Sequence, residues 1–329
     1  MVTVRERIWY PTALGLRWRR RQAIADVRAR AVYFGLDPEK TVGRLAYASF
    51  ASPARRYVYV ETPKVACTAF KTMIAELENV RPDPNLRPYM REARLDMLIH
   101  QRDHIALPSI LDLTAKERAS VFEGDPAWFI FAVVRNPFSR LVSVFENKVR
   151  ISDPDFQHSV VQIEGEPPVD RVTLFRRFIR QIARNEAGIA ENPHIAVQSS
   201  LLLPDLIRYT KVFHIEELYK AVAAFNSHIA SNGYSGLATL PQRNAALRTE
   251  WRAYYDAESA GTVQHIFAED FRRFGYDPGD WQTTGVGKAA EETDVEHYWR
   301  EQVIARNEMI NHLYDLLDAR LGRPRGWRI

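Results

Sequence analysis

The fold class follows from the stretch Arg56-Tyr57-Val58-Tyr59-Val60-Glu61-Thr62-Pro63-Lys64-Val65. Its first six residues include aromatic and β-branched side chains, which predicts a strand. Pro63 restricts Thr62 to extended geometry and therefore ends that strand. Residues 66–80 then carry apolar side chains at i, i+3, i+4 and i+7, the spacing of one helical face: Phe70, Met73, Ile74 and Leu77. The stretch predicts a unit of strand, tight loop and helix.

A second unit of the same kind follows at residues 128–145. Residues 128–134 form a continuous apolar run, which is typical of a strand buried on both faces of a parallel sheet. The run ends at Arg135, after which Asn136 is a good N-cap and Pro137 a good first helical residue. The following apolar residues again have helical spacing: Phe138, Leu141, Val142 and Phe145.

The rest of the chain continues the alternation of strands and helices. We predict a third strand over 210–215 and helices over 16–34, 173–185, 216–229, 252–274 and 294–321. The helical region 252–274 is expected to break near Gly261 and to stop at Gly275. This order predicts an α/β fold with a mostly parallel sheet. It also suggests three regions: a basic helical N-terminal extension over 1–55, a main domain over 56–278, and a linker with a C-terminal helix over 279–329.

Composition excludes several classes of protein. The 329 residues include 45 Lys and Arg against 41 Asp and Glu. The resulting net charge of +4 is too small for a histone-like protein that coats nucleic acid. The hydrophobic fraction of 46% supports a sizeable core and excludes wholesale disorder. The single cysteine, Cys67, excludes an internal disulfide and a cysteine-rich zinc site. We expect no metal and no nucleic-acid partner.

The N-terminus concentrates positive charge. Residues 1–30 contain eight Arg, yet no apolar h-region follows them and no run reaches the roughly 20 apolar residues of a spanning helix. We therefore expect a cytoplasmic protein. The cluster Arg17-Trp18-Arg19-Arg20-Arg21 is typical of a solvated helix face, and the alternative is contact with an acidic polymer, a substrate or, peripherally, a membrane.

The two predicted strand-to-helix turns are both suited to anions. Such a turn directs free backbone N–H groups and the positive end of the helix dipole at one point. In the first turn Lys64 adds a charge, Thr68 adds a hydroxyl donor, and the small Ala66 allows an oxyanion to approach the backbone. This pattern indicates a phosphate-binding loop, although the Walker A spacing is missing.

In the second turn Arg135 stands where the strand ends. Arginine stays charged and can bind phosphate through two hydrogen bonds, and Ser143 on the following helix can add a hydroxyl. An Asp at this strand end would instead indicate Mg²⁺ and an NTPase. Taken singly, Lys64 could be a solvated loop lysine and Arg135 a surface ion pair. Together they favour a ligand with phosphates at two places, such as a 3′,5′-bisphosphorylated nucleotide.

Residues 59–71, Tyr-Val-Glu-Thr-Pro-Lys-Val-Ala-Cys-Thr-Ala-Phe-Lys, resemble the 5′-phosphosulfate loop of a known enzyme family. That family is the carbohydrate sulfotransferases of the chondroitin and HNK-1 type (sulfotransferase family 2), which depend on 3′-phosphoadenosine-5′-phosphosulfate (PAPS). Residues 129–148 resemble the family's 3′-phosphate-binding segment. Weaker similarity at 194–216 and 266–276 extends the resemblance over about residues 56–278.

The resemblance implies a P-loop-NTPase-like three-layer fold, with a central, mostly parallel sheet between helices. The helical extensions predicted at both ends have no counterpart in the family. It implies PAPS as the donor, no metal, and a carbohydrate or glycoconjugate hydroxyl as the acceptor. The implied 5′-phosphosulfate contacts are Pro63, Lys64, Val65, Ala66, Cys67, Thr68, Ala69 and Phe70, and the implied 3′-phosphate contacts are Arg135 and Ser143. Ala69 and Phe70 depart from the family's usual Asn or Ser and Trp. The chain lacks the paired cysteines and anchor of lumenal members, which implies a soluble, bacterial-type enzyme.

The implied reaction is in-line transfer of a sulfuryl group to a hydroxyl. Lys64 would stabilise the leaving phosphate oxygen, and His100 and His104 are the catalytic candidates for taking the hydroxyl proton. Glu61 and His194 are further candidates for that role. Two other functions stay open on the residues alone: a P-loop-like nucleotide kinase or NTPase, and a non-enzymatic polyanion-binding protein. The acceptor and the oligomeric state are open as well.

Overall fold

The computed structural model describes residues 13–80, 99–100, 102, 107–156, 169–234, 238–240, 250–282 and 294–321. The α-helices in these ranges are α1 Ala13–Tyr33, α2 Pro38–Ala48, α3 Cys67–Leu77, α4 Ala115–Glu123, α5 Pro137–Asn147, α6 Arg171–Arg184, α7 Glu186–Ile189, α8 Gln198–Leu202, α9 Leu218–Ser231, α10 Ala257–Ile266, α11 Ala268–Phe274 and α12 Asp294–Leu321. Single 3₁₀ turns lie at Ile110–Asp112, Val149–Ile151, Pro154–Phe156, Ile215–Glu217, Trp251–Tyr254 and Asp280–Gln282.

The described strands form one sheet in the order β1-β2-β3-β4. Their bounds are β1 Ser49–Ser52, β2 Tyr57–Val60, β3 Phe129–Val134 and β4 Lys211–His214. Strands β2, β3 and β4 are parallel to one another, and β1 is antiparallel to β2. The predicted α/β class with a mostly parallel sheet is therefore confirmed. The parallel strands end at one edge, where β2 and β3 lead into α3 and α5.

Helices cover both faces of the sheet, which explains why β3 is apolar at every position. Tyr59 and Phe131 belong to an aromatic core cluster on one face, together with residues of α3 and α9. Val58 and Ile130, their neighbours along the strands, belong to a second, aliphatic cluster with residues of α1, α4 and α8. Because side chains alternate along a strand, a strand covered on both faces needs no polar side. The three layers required by the predicted fold are thus present.

A third core cluster lies beyond the carboxyl edge of the sheet. It is built from one face of α5 with α6, the Trp251–Tyr254 turn, α10 and α11. Phe138 and Phe145 of α5 anchor it, and the ring of Phe145 meets that of Phe175 at 5.4 Å. This cluster fixes α5, so Arg135, which lies between β3 and α5, is held in a rigid setting.

The N-terminal region contributes more to the fold than its sequence indicates. Helix α1 agrees with the predicted 16–34, and its Ala23 and Val27 are fully buried in the aliphatic cluster. Strand β1 was not predicted: its sequence Ser-Phe-Ala-Ser lacks strand periodicity, and its pairing with β2 forms it. The division of the chain at residues 55 and 278 stays a prediction.

Two further predictions concern helix ends. The expected break near Gly261 is wrong, because Gly261 lies inside α10 and the chain turns at Phe267 instead. The stop at Gly275 is confirmed, with a left-handed φ of 69° after α11. Helix α12 has the predicted bounds. Within the described ranges, no helix has both the length and the apolar character needed to span a membrane.

Candidate functional site

The loop between β2 and α3 has an unusual backbone. Lys64 and Ala66 both have left-handed φ angles, 67° and 53°, although neither is glycine. Non-glycine residues rarely adopt this conformation, and its cost is often tolerated at binding sites. Left-handed residues alternating with others turn successive backbone N–H groups toward one concavity that suits an anion. The loop backbone therefore has the geometry of an anion cradle.

The N-terminus of α3, which adjoins that cradle, has no side-chain cap. Ala66 occupies the N-cap position and has no side chain that could accept a hydrogen bond from the first turn. The first N–H groups of a helix have no intrahelical partners, so those of Cys67, Thr68 and Ala69 are available to a ligand. The positive end of the helix dipole adds to their attraction for an anion.

Lys64 precedes this helix end by two residues, and its ammonium group interacts electrostatically with Cys67. Burial lowers the pKa of Lys64 to about 8, and the positive charges of Lys148 and Arg135 act in the same direction. Cys67 and Asp153 oppose these effects. The pKa shows that the site penalises the positive charge when no anion is bound. A bound anion would relieve that penalty.

Arg135 brings the second predicted anion site against the first. It follows the last residue of β3, and its Nη1 donates to the carbonyl oxygen of Lys64 at 3.3 Å. Its Nε donates to the hydroxyl of Ser139 at 2.9 Å. The side-chain amide of Gln198 holds the backbone of Arg135 in both directions, accepting from its N–H at 3.0 Å and donating to its carbonyl at 2.8 Å.

Ser143 lies on the same face of α5 as Ser139, because residues four apart are neighbours on a helix. It is partly exposed, whereas Ser139 is buried and bonded to Arg135. Arg135, Ser139 and Ser143 thus form a polar line along α5. The sequence analysis missed Ser139, although its i+4 spacing from Arg135 was a usable signal.

A buried arginine joins the phosphate-binding loop to a distant segment. Arg140, 1% exposed, donates to the carbonyl oxygens of Pro63 at 3.2 Å, Ala196 at 2.7 Å and Pro193 at 3.0 Å. Burial lowers its pKa to about 10. Arg140 therefore fixes His194, between two of these contacts, close to the loop. Sequence reasoning missed this residue, since its partners are far away along the chain.

A chain of buried polar groups lies behind Thr68. Lys71 pairs with Glu61 at 2.7 Å, and both side chains are almost completely buried. The same ammonium group lies 2.7 Å from Nδ1 of His100, and Nε2 of His100 lies 3.1 Å from the hydroxyl of Thr68. The sequence analysis named three of these four residues and missed Lys71.

The candidate general bases differ in their surroundings. Glu61 is committed to its ion pair, and the pKa of His100 is lowered to about 4, mainly by burial and then by the charge of Lys71. His194 lies within electrostatic reach of His100. His104 lies outside the described residues.

The other loop residues differ in what they can offer a ligand. Val65 and Phe70 point into the aromatic cluster, where Phe70 stacks on Tyr59 at 5.1 Å, so only their backbone groups are available. Pro63 is buried, and its carbonyl binds Arg140. Cys67 is a half-buried free thiol. In the part of the chain that the structure describes, His, Cys, Asp and Glu side chains form no cluster that could hold a metal ion.

Comparison with known proteins gives a family match over most of the chain. The model of the sulfotransferase family matches residues 48–277. Carbohydrate sulfotransferase 10 of Danio rerio is 24% identical over 253 residues, covering 69% of this chain and 66% of that protein. The Pongo abelii and Mus musculus proteins of the same name are each 22% identical over 250 residues, covering 70% of this chain and 67% of theirs. No solved structure gives a significant match.

The relatives bear on two further points. The chain spans about two thirds of the length of these curated proteins. The cytoplasmic location predicted from the sequence is wrong, because the relatives are Golgi membrane enzymes.

Proposed function

The chain belongs to the sulfotransferase family, and from this premise we propose that it transfers a sulfuryl group from PAPS to a hydroxyl of a carbohydrate or glycoconjugate. The name of the curated relatives, carbohydrate sulfotransferase 10, supports the acceptor class. The kinase and polyanion-binding alternatives lack a comparable supporting observation.

The contact between Arg135 and the Lys64 carbonyl carries the proposal. It joins an anion cradle at the end of β2 to an arginine at the end of β3, so the site suits a ligand with two separate anionic groups. PAPS has a 5′-phosphosulfate and a 3′-phosphate. The uncapped start of α3, with Lys64 and Thr68, fits the first group, and Arg135 with Ser143 fits the second. Ser139 orients Arg135 for this role.

When bound, PAPS supplies an activated sulfuryl group whose leaving group is a phosphate. The chain's own contribution is electrostatic. At pH 7 the amine of Lys64, with a pKa of about 8, is mostly protonated, and it can act together with the uncapped N–H groups at the start of α3. These donors stabilise the negative charge that develops on the leaving oxygen. A single preorganised donor of this kind is worth roughly 10²–10³-fold in rate.

The acceptor hydroxyl must lose its proton, and two histidines are suited to take it. His194 is held near the loop by the contacts of Arg140 with Pro193 and Ala196. His104 remains a prediction of the sequence. Both ring nitrogens of His100 have partners within the chain, Lys71 at Nδ1 and Thr68 at Nε2.

The first prediction concerns the product nucleotide. Adenosine 3′,5′-bisphosphate should raise the melting temperature, because it binds only the folded chain. Lys64→Ala and Arg135→Ala should each abolish that shift. Lys220→Ala, at an exposed lysine paired with Glu217, is the control and should leave the shift unchanged. An unchanged melting curve of the wild-type chain at millimolar nucleotide contradicts the proposal, as does Mg²⁺-dependent turnover of ATP.

A further inference from the structure

We propose that His100 is a neutral hydrogen-bond donor that positions the Thr68 hydroxyl for the 5′-phosphate, and that Lys71, anchored by Glu61, holds His100 in this role. His100 is thereby a positioning residue rather than the proton acceptor suggested by its place in the sequence. The inference rests on the proposed function, since it assigns Thr68 to that site's anion.

The chain of contacts starts at a buried ion pair. Lys71 is 1% exposed and the side chain of Glu61 is 3% exposed, with 2.7 Å between Nζ and the carboxylate. Burial favours loss of the lysine's proton, but Glu61, together with Cys67 and Tyr47, outweighs it and raises the pKa of Lys71. The ammonium is therefore retained. A charged lysine can donate and cannot accept, so its 2.7 Å contact with His100 is donated to Nδ1.

That contact sets the tautomer of the ring. Because Nδ1 accepts, the proton of neutral His100 resides on Nε2, which donates to the Thr68 oxygen at 3.1 Å. The titratable groups that act on His100 are Lys71, Glu61, Lys148 and His194, and Tyr47 donates to its backbone carbonyl at 3.4 Å. Their combined effect with burial holds the pKa near 4, so the ring is neutral at pH 7.

The consequence for Thr68 follows from its single proton. A hydroxyl has one donor, and the oxygen of Thr68 already accepts from His100. Its own O–H is therefore free to donate to an anion at the start of α3, where Thr68 is the second helical residue. A proton taken up at Nδ1 of His100 would instead oppose the ammonium of Lys71. The geometry thus favours donation by the ring over proton uptake.

Variants of His100 separate the two roles. In His100→Gln the side-chain amide can still donate to Thr68, so the Kd of adenosine 3′,5′-bisphosphate should stay within about threefold; in His100→Ala it should rise about tenfold. Neither variant should change the shape of the pH–rate profile. If His100 accepts the proton, His100→Gln will lower kcat by roughly 10²–10⁴-fold and remove a limb of the profile at unchanged nucleotide affinity. That result overturns the inference.

Thr68 provides the matching test. Thr68→Ala should weaken nucleotide binding about as much as His100→Ala, and the double variant should be no weaker than either one, because both act through the same hydroxyl. Thr68→Ser keeps the hydroxyl and serves as the control. Additive losses in the double variant contradict the proposed chain of contacts.

The tautomer itself can be measured without any ligand. Nitrogen NMR of the wild-type chain should show His100 as the neutral Nε2–H form from pH 5.5 to 8. Lys71→Met alone would leave Glu61 as an uncompensated buried charge. The test therefore uses the double variant Glu61→Gln with Lys71→Met, in which both side chains are neutral. In that pair the fixed tautomer should be lost. A wild-type His100 with its proton on Nδ1, or one that titrates near 6.5, overturns the inference.

The NMR measurement also keeps this inference distinct from the proposed function. A wild-type chain that binds no nucleotide contradicts the proposed function, whereas the tautomer decides the arrangement around His100 in either case. Nucleotide binding combined with the wrong tautomer contradicts the inference alone.

Discussion

Lys64 illustrates the cost of an anion site at the scale of one residue. Its backbone is left-handed, its amine is largely buried, and its charge stands near those of Arg135 and Lys148. Each feature disfavours the folded chain in the absence of ligand, and each assists the binding of an anion. We therefore expect this residue to reduce stability while it supports binding.

Replacing Lys64 by Met should stabilise the ligand-free chain. The pKa of Lys64 is about 8 when folded, against an ordinary value of 10.5, so the unfolded chain binds more protons between these pH values. Stability therefore rises with pH across this window, and the lysine's cost is full below pH 8. Lys64→Met should gain on the order of 1–3 kcal/mol at pH 7 and much less near pH 10.5. Urea unfolding at both pH values checks this; a constant gain contradicts it.

At the scale of elements, helices α8 and α11 are coupled through Asp270. This buried carboxylate accepts from the backbone N–H groups of Gln198 and Ser199, both at 2.7 Å, and so caps α8 from another helix. Burial raises its pKa, although those N–H groups and Arg140 oppose the rise. These contacts make Asp270 a capping residue of α8. Gln198 in turn holds Arg135.

Loss of this cap should be more costly than loss of an exposed one. Asp170 caps α6 at the surface through the N–H groups of Val172 and Thr173. Asp170→Ala should cost about 0.5–2 kcal/mol, as exposed caps do. Asp270→Ala should cost about 2–4 kcal/mol, because it leaves buried N–H groups unsatisfied. Unfolding in urea compares the two, and equal losses contradict the coupling of α8 to α11.

At the scale of the whole molecule, the N-terminal helix is part of the layered core. One side of α1 is buried against the aliphatic cluster and the opposite side is exposed. It packs against α2, which leads directly into β1, the strand that extends the sheet beside β2. We therefore expect residues of α1 to affect the stability of the same cooperative unit as the sheet.

Two valines on α1 provide a matched test. Val27 is fully buried, and Val32 is 66% exposed. Val27→Ala should cost about 1–2.5 kcal/mol, from lost burial and the cavity left behind. Val32→Ala should stay within about 0.5 kcal/mol. A single unfolding transition that shifts only in Val27→Ala agrees with one cooperative unit. Separate unfolding transitions for α1 and the sheet contradict it.

The nearby sequence determined the two strand-to-helix units of this protein. β-branched and aromatic runs, Pro63, the N-cap Asn136 and helical spacing are local signals, so they located β2, α3, β3 and α5 correctly. The same signals placed Lys64 and Arg135 at strand ends. Parallel pairing of β2 and β3 then accounts for the contact between them.

Only the tertiary structure decided how these residues are supported. Strand β1 forms by pairing, Arg140 links Pro63 to Ala196, and Lys71 connects Glu61 with His100. The contacts of Arg140 and the contact of Lys71 with His100 join residues far apart in the sequence, and periodicity carries no information about such partners. His100 shows the physical reason most clearly: its residue type suggested a base, whereas burial and the neighbouring ammonium of Lys71 lower its pKa and make it a neutral partner of Thr68.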